Sequence, residues 1–246
     1  MNLCTDQLAM LIAAPGQLHS VSVLATQAQS SAMAQEAKQY AVNHGLAEEI
    51  FLMKPDLVLA GSFSTRATVA MLRRLDIRVE EFAPEASFAD IGANVRRMGE
   101  LLRQEGRAEA LLQGFTATLA RYAQQPEKHP LAALYYANSY TSGASTMAGE
   151  TVERAGLRNL GRELGLSGTA KLPLETLVMN APDAVVSGNP EGAPGLAYEN
   201  LAHPALRAVL QGRGFVNVPD KYTLCGTPFT AEAVRILAEA RASLSR

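Results

Sequence analysis

The sequence predicts an α/β protein made of two similar α/β lobes with parallel-type sheets, joined by a single long backbone helix. Three observations predict this class. Short apolar runs of strand length alternate with segments whose apolar residues recur every three or four positions. One of the helical segments is long enough to bridge two lobes. A short helix-to-strand unit also occurs once on each side of that segment.

Thr5 or Asp6 can cap a first helix carrying Leu8, Leu11 and Ile12, which Pro15 and Gly16 stop. Helical periodicity recurs over residues 29–38, 46–53, 65–75 and 88–103, with strands expected at 20–24, 56–60 and 77–82. Over residues 106–124, Ala108, Leu111, Leu112, Phe115, Leu119 and Tyr122 form one apolar stripe on a helix of roughly 28 Å. The polar, proline-containing segment QQPEKHP, residues 124–130, ends that pattern, and a strand over 131–137 restarts the alternation. Helices over 147–155, 174–180 and 230–244 and a strand over 183–187 follow. The predicted division is an N-terminal lobe over 1–104, a connecting helix over 105–125 and a C-terminal lobe over 126–246.

The repeat aligns residues 48–61, EEIFLMKPDLVLAG, with residues 175–188, ETLVMNAPDAVVSG, at a constant offset of 127 and without a gap. Glu48/Glu175, Pro55/Pro182, Asp56/Asp183, Val58/Val185 and Gly61/Gly188 are identical pairs. The unit is a short helix, a proline that ends it, an apolar strand and a glycine that turns the chain out of the strand.

Composition narrows the function. With 246 residues, 48% of them hydrophobic and 19% charged, the chain can bury a large core and is too apolar to be disordered. The 22 basic and 24 acidic residues give a net charge of −2, without the basic excess needed to neutralise phosphates, so nucleic acid is not an expected partner. No apolar run reaches the roughly 18 to 20 residues of a membrane crossing. Two cysteines, Cys4 and Cys225, allow at most one disulfide and rule out zinc clusters of the CxxC type.

With PDLVLAG and PDAVVSG in matching places around a long helix, the chain resembles the periplasmic binding proteins of the cobalamin, haem and ferric-siderophore importers. LCTDQLAMLIAA, from Leu3, resembles that family's first helix, where a Thr-Glu pair precedes Leu; here the pair is Thr5-Asp6. The resemblance implies ligand held in a cleft between the lobes and delivery to the permease of an ABC importer. It also implies a periplasmic location and a monomer, with no cofactor of its own. An acid on each lobe would meet arginines of the permease. Glu191 and Glu199 can serve on the C-terminal lobe, whereas SFSTRATVAML after Gly61 has no acid, and Arg66 stands near the expected place. The family has a short strand before its first helix and an export signal before that; both are expected upstream of Met1 in the native protein.

Within that frame the candidate ligand contacts are loops at strand ends and helix starts. They are Cys4, Thr5 and Asp6; Asn43 and His44; Phe63 and Ser64; Tyr140 and Thr141; and Tyr222, Cys225 and Phe229. Aromatic residues suit flat macrocycles and catecholates, and imidazole can coordinate or hydrogen-bond a ligand. In an alternating strand Tyr135 and Tyr136 face opposite ways, so one belongs to the core. Cys4 and Cys225, expected on different lobes, are read as two separate semi-buried thiols rather than a bridge.

Catalytic motifs are missing from the sequence. TSGASTMAGE, from Thr141, lacks the Gly-Lys-Ser/Thr of a P-loop, and GASTM is not the GxSxG nucleophile elbow, so a loop with Ser145 or Thr146 as helix cap is the reading. No spaced His/Asp/Glu set marks a catalytic metal site. A binding protein is therefore expected. The alternatives are an α/β enzyme or chelating protein that works on a tetrapyrrole or metal in the same cleft, and a ligand-sensing module without a permease.

Overall fold

In the computed structural model, which describes residues 1–64, 66–122, 129–188, 199–210 and 214–244, the chain starts with helix α1 (Leu3–Ile12). The cap is Asn2 rather than Thr5 or Asp6: its side-chain oxygen accepts from the amides of Cys4 (3.0 Å) and Thr5 (3.3 Å). Thr5 and Asp6 are thereby drawn into the first turn and buried. Asp6 Oδ2 accepts from Ser22 N at 2.8 Å, and Gln7 Oε1 accepts from Ala32 N at 2.9 Å, so two buried polar side chains of α1 hold the end of the strand that follows it and the turns beyond.

Two compact units divide the chain. The first comprises residues 1–85, 89–114 and 224–229, the second 86–88, 115–223 and 230–246. The division falls inside helix α5 (Glu105–Tyr122), between Gly114 and Phe115, and the short segment 224–229 joins the first unit although it lies far into the second half of the sequence.

In the first unit β1 (Ser20–Ser22) runs parallel to β2 (Ala41–Asn43), and β3 (Val58–Gly61) runs parallel to β4 (Val79–Phe82). Helices α2 (Ala47–Leu52) and α3 (Arg66–Arg74) contribute Ala47, Ile50, Val69 and Leu72 to a core shared with Val58, Ala60 and Val79. Helix α4 (Phe88–Leu102) follows β4. The helix expected over 29–38 does not form. That stretch is a series of turns ending in a 3₁₀ turn at Glu36–Gln39. Its serines compete for the backbone: Ser31 Oγ accepts from Met33 N at 3.1 Å, while Ser30 N and Ser31 N both donate to Gln27 O.

Cys4 and Cys225 form a disulfide, with Cα atoms 5.2 Å apart, which corrects the expectation of two free thiols. That expectation put the cysteines on different lobes. In the structure residues 224–229 fold onto the first unit, and Cys225 enters one apolar cluster with Leu3, Met10 and Val21, against which Cys4 and Phe229 also pack. A second tie holds the same segment: Gly226 N donates to Glu85 Oε2 at 3.2 Å, and a Cβ on Gly226 would collide with the Glu85 side chain.

The second unit contains one four-stranded parallel sheet in the order β10 (Gly214–Asn217), β9 (Ala184–Ser187), β5 (Leu131–Leu134), β7 (Arg158–Asn159). All four residues of β9 are buried, as expected for an inner parallel strand covered on both faces. Asp183 fixes the start of this pairing, accepting from Leu131 N through Oδ2 at 2.8 Å while its own N–H donates to Leu131 O. Helices α6 (Met147–Arg154), α7 (Leu160–Glu163), α8 (Leu174–Asn180), α10 (Pro204–Val209) and α11 (Thr230–Leu244) belong to this unit. The chain after β5 also forms β6 (Tyr140–Ser142), antiparallel to β8 (Thr169–Lys171), a ribbon the sequence pattern did not suggest. Among the described residues no helix is long and apolar enough to cross a membrane.

The repeat extends to backbone conformation. Helices α2 and α8 both lead through a left-handed residue, Lys54 (φ 50°) or Ala181 (φ 43°), to Pro55 or Pro182 and then to β3 or β9. The proline cannot continue the helix, and the left-handed residue before it ends the helix one step earlier.

Because the disulfide closes a loop spanning 221 positions, replacing both Cys4 and Cys225 with Ala should cost about 2–5 kcal/mol of stability. Urea denaturation of oxidised protein and of the double variant checks this. Equal midpoints would mean that the bridge contributes nothing.

Candidate functional site

An open sheet of parallel strands offers ligands its carboxyl edge, most readily where successive connections leave in opposite directions. In the second unit that place lies between β5 and β9, because the chain after β5 returns as β7 on one side and later as β9 on the other. A cavity of about 40 Å³ opens there. Its walls are apolar, with Leu134 and Val186 from the strand ends, Val218 past β10, Val152 from α6 and Leu237 from α11. Its polar groups are Tyr136, Thr151, Ser187, Asp220 and Thr223. It is far too small for a macrocycle and large enough for one polar substituent or a few waters.

Two of these polar groups are electrostatically unusual. Burial pushes the Tyr136 phenol up to about 12, aided by the Asp220 charge and opposed by its hydrogen bond to Ser142, so the hydroxyl is neutral at physiological pH. Asp220 is exposed at the cavity mouth, and the partial burial of its carboxyl against Gly188 raises it above its ordinary value. Among the described residues no Lys, Arg or His lines the cavity. Gly188, the repeat's strand-end glycine, makes room for Asp220: a Cβ there would occupy the position of Asp220 Oδ1. In the first unit the equivalent Gly61 leaves room for the Asn2 side chain, whose amide nitrogen would lie 2.8 Å from an added Cβ.

The residues singled out from sequence fall into three groups. Thr5, Asp6, Asn43 and Thr141 are buried, and Cys4 and Cys225 are joined to each other. Asn43 spans Ser20 Oγ (2.8 Å) and Gly45 N (3.3 Å), and Phe229 packs on the cluster around Cys225. The exposed group comprises Phe63, 86% exposed just past β3; Tyr140, whose ring lies 4.2 Å from Lys171 Nζ; and His44. His44 is tied to Glu49 by its backbone N–H (2.7 Å) and Nδ1 (3.1 Å), and the backbone bond leads the effects that hold the Glu49 carboxyl below its usual range. Tyr222 is half-buried with Lys221 Nζ 5.0 Å from its ring centre, and Ser64 Oγ accepts from Gly61 N at 3.0 Å. Glu199 is exposed at the start of α9 (Glu199–Ala202), and Arg66 begins α3; Glu191 lies outside the described residues.

Sequence reasoning missed Tyr136 as a cavity residue, together with Asp220, Ser187 and Thr223. Of the adjacent tyrosines, Tyr135 is wholly buried and Tyr136 reaches the cavity. The available signal was positional: FVNVPD places Asp220 just past an apolar strand, and the repeat places Gly188 beside it. Among the described residues no group of three or more His, Cys, Asp or Glu side chains is placed to hold a metal.

These features define a ligand-binding class of α/β protein, and the comparisons identify its family. Residues 2–209 match the periplasmic binding protein family, and the chain belongs to it. A cobalamin-binding protein of Halobacterium salinarum is 27% identical over 146 residues, 57% of this chain and 40% of that protein's length. The match thus spans less than half of that curated relative. The periplasmic heme-binding protein RhuT from Roseiflexus sp. RS-1 in apo form has the same fold, with a TM-score of 0.81 at 19% identity over 100% of this chain and 97% of that one. So does the periplasmic heme-binding protein HutB of Vibrio cholerae, with a TM-score of 0.79 at 17% identity over 96% and 95%. The family is one of periplasmic binding proteins, and the enzyme alternative has no support from it.

The raised Asp220 carboxyl gives a stability prediction. A carboxyl whose folded value lies above its unfolded value contributes stability below the unfolded value, and this is lost as pH rises through the folded one. Asp220→Asn should therefore be at least as stable as the parent at pH 7, with any advantage disappearing below about pH 4. Urea midpoints at the two pH values check this; an Asn variant that is less stable at pH 7 alone would show that the carboxylate is paired.

Proposed function

We propose that the protein captures a metal-bearing ligand, a corrinoid, haem or ferric siderophore, outside the cytoplasm and delivers it to the permease of an ABC importer. The observation that carries this reading is the cavity at the carboxyl edge of the second unit's sheet in a member of the periplasmic binding protein family. Aromatic side chains in the chain beyond β3, β5 and β10, two of them exposed and one half-buried, support it, since a wide, flat ligand is held mainly by apolar and stacking contacts. Phe63, Tyr140 and Tyr222 are proposed as those contacts, with His44 and Ser64 as polar neighbours. The Cys4–Cys225 bridge suits an oxidising compartment. Glu199 and Glu191 are proposed to meet basic residues of the permease.

The names of the relatives point to two ligand chemistries, cobalamin for one and heme for others. Difference absorption spectra of the purified protein with dicyanocobinamide, haemin and a ferric trihydroxamate separate the candidates. One of them should bind with a Kd in the micromolar range or below, and Phe63→Ala or Tyr140→Ala should weaken it by about 1–3 kcal/mol, roughly 5- to 150-fold. Both side chains are exposed, so folding should be unaffected. Unchanged affinity in both variants removes them from the site, and no binding of any candidate overturns the reading.

A further inference from the structure

Gly61 and Gly188 end the two repeats, and each leaves a space that a polar side chain fills, Asn2 in the first unit and Asp220 in the second. The occupants differ in what they do. Asn2 is committed to the fold, its side-chain oxygen accepting from Cys4 N and Thr5 N to cap α1. Asp220 has only structural backbone roles: its carbonyl accepts from Thr223 N at 2.9 Å and from Thr223 Oγ1 at 3.3 Å. No donor among the described residues bonds its carboxylate, which lies against Gly188 on the cavity wall. Its neighbour Lys221 holds its ammonium on the Tyr222 ring instead.

Asp220 is exposed at the mouth of the cavity, where no cation stands among the described residues, so water solvates its carboxylate until a ligand covers it; a ligand seated there must then offer it a hydrogen-bond donor, and bonds from N–H or O–H to a carboxylate are among the stronger neutral-to-ion contacts. A ligand that placed a second carboxylate there would displace that water and meet like charge. The cavity's size fits one substituent at the edge of a larger ligand. We infer that Asp220, seated by Gly188, selects ligands that present an uncharged hydrogen-bond donor, a carboxamide or a hydroxyl, to the second unit, and rejects ligands that present a carboxylate there. This assignment rests on the proposed capture function and narrows its ligand class to donor-bearing corrinoids or siderophores, against haem with its propionates.

The test titrates the parent protein, Asp220→Asn and Gly188→Ala with four probes: dicyanocobinamide, dicyanocobyrinic acid (the same ring with carboxylates in place of carboxamides), haemin and a ferric trihydroxamate. Gly188→Ala keeps the carboxylate but forces it aside. Only the flexible end of Asp220 must move to admit the methyl group, while the next obstacle, Val218 O, lies 3.2 Å away. The tightest probe for the parent should be the cobinamide or the hydroxamate. Both variants should bind it about tenfold more weakly, and Asp220→Asn should bind the cobyrinic acid relatively better. Haemin or the cobyrinic acid as tightest probe, or a tightest probe indifferent to both variants, overturns the assignment and leaves the capture function standing. Failure of all four probes to bind overturns the capture function itself.

Discussion

The constraint on which the second unit depends is burial of its parallel sheet on both faces. Inner strands such as β5 and β9 can carry only small or branched apolar side chains: Ala132, Ala133 and Leu134 in one, Ala184, Val185 and Val186 in the other. Polar chemistry is therefore excluded from the body of the sheet and displaced to its ends. At the amino edge Asp183 is used to start the pairing of β9 with β5. At the carboxyl edge, where the chain leaves the core, Tyr136, Ser187 and Asp220 converge on the cavity. The same rule that makes the strands legible as apolar runs thus places the binding chemistry just beyond them.

The first unit meets a related problem in a different way. Its strands are three or four residues long, and much of its order comes from polar side chains of α1 and from the segment 224–229. Asp6 commits a buried side-chain oxygen to the amide that ends β1 and Gln7 one to a turn amide, while the disulfide and the Glu85–Gly226 bond fasten the returning segment. Buried polar groups cost free energy unless bonded, so these residues are committed to the fold. Of these, Asp6, Cys4 and Cys225 have residue types that could equally have served a ligand, which is why they stood among the candidates.

Much of the fold was legible because periodicity and punctuation report directly on burial and chain direction. The apolar stripe of α5 and the PDLV and PDAV strands appear where the pattern put them, and the repeat holds even in the left-handed residues Lys54 and Ala181. What escaped was set by contacts distant in sequence. Nothing local tells that Cys225 returns to Cys4 across 221 positions, or that Asn2 supplies the cap that Thr5 could have supplied. Residues 29–38 have helical spacing, yet serine side chains and Gln7 capture their backbone. The cavity was the least legible feature, since Asp220 acquires its environment only when Gly188, 32 positions earlier, leaves a space for it.

Ligand is proposed to engage the carboxyl edge of the second unit's sheet. Hydrogen–deuterium exchange, followed by mass spectrometry with and without the bound probe, tests this directly because it reads every segment at once. Ligand should slow exchange in peptides covering residues 134–142, 186–188 and 216–223, with little change at the amino edge around Asp183. Tight binding that protects the amino edge, or leaves the 216–223 peptide unchanged, would contradict it.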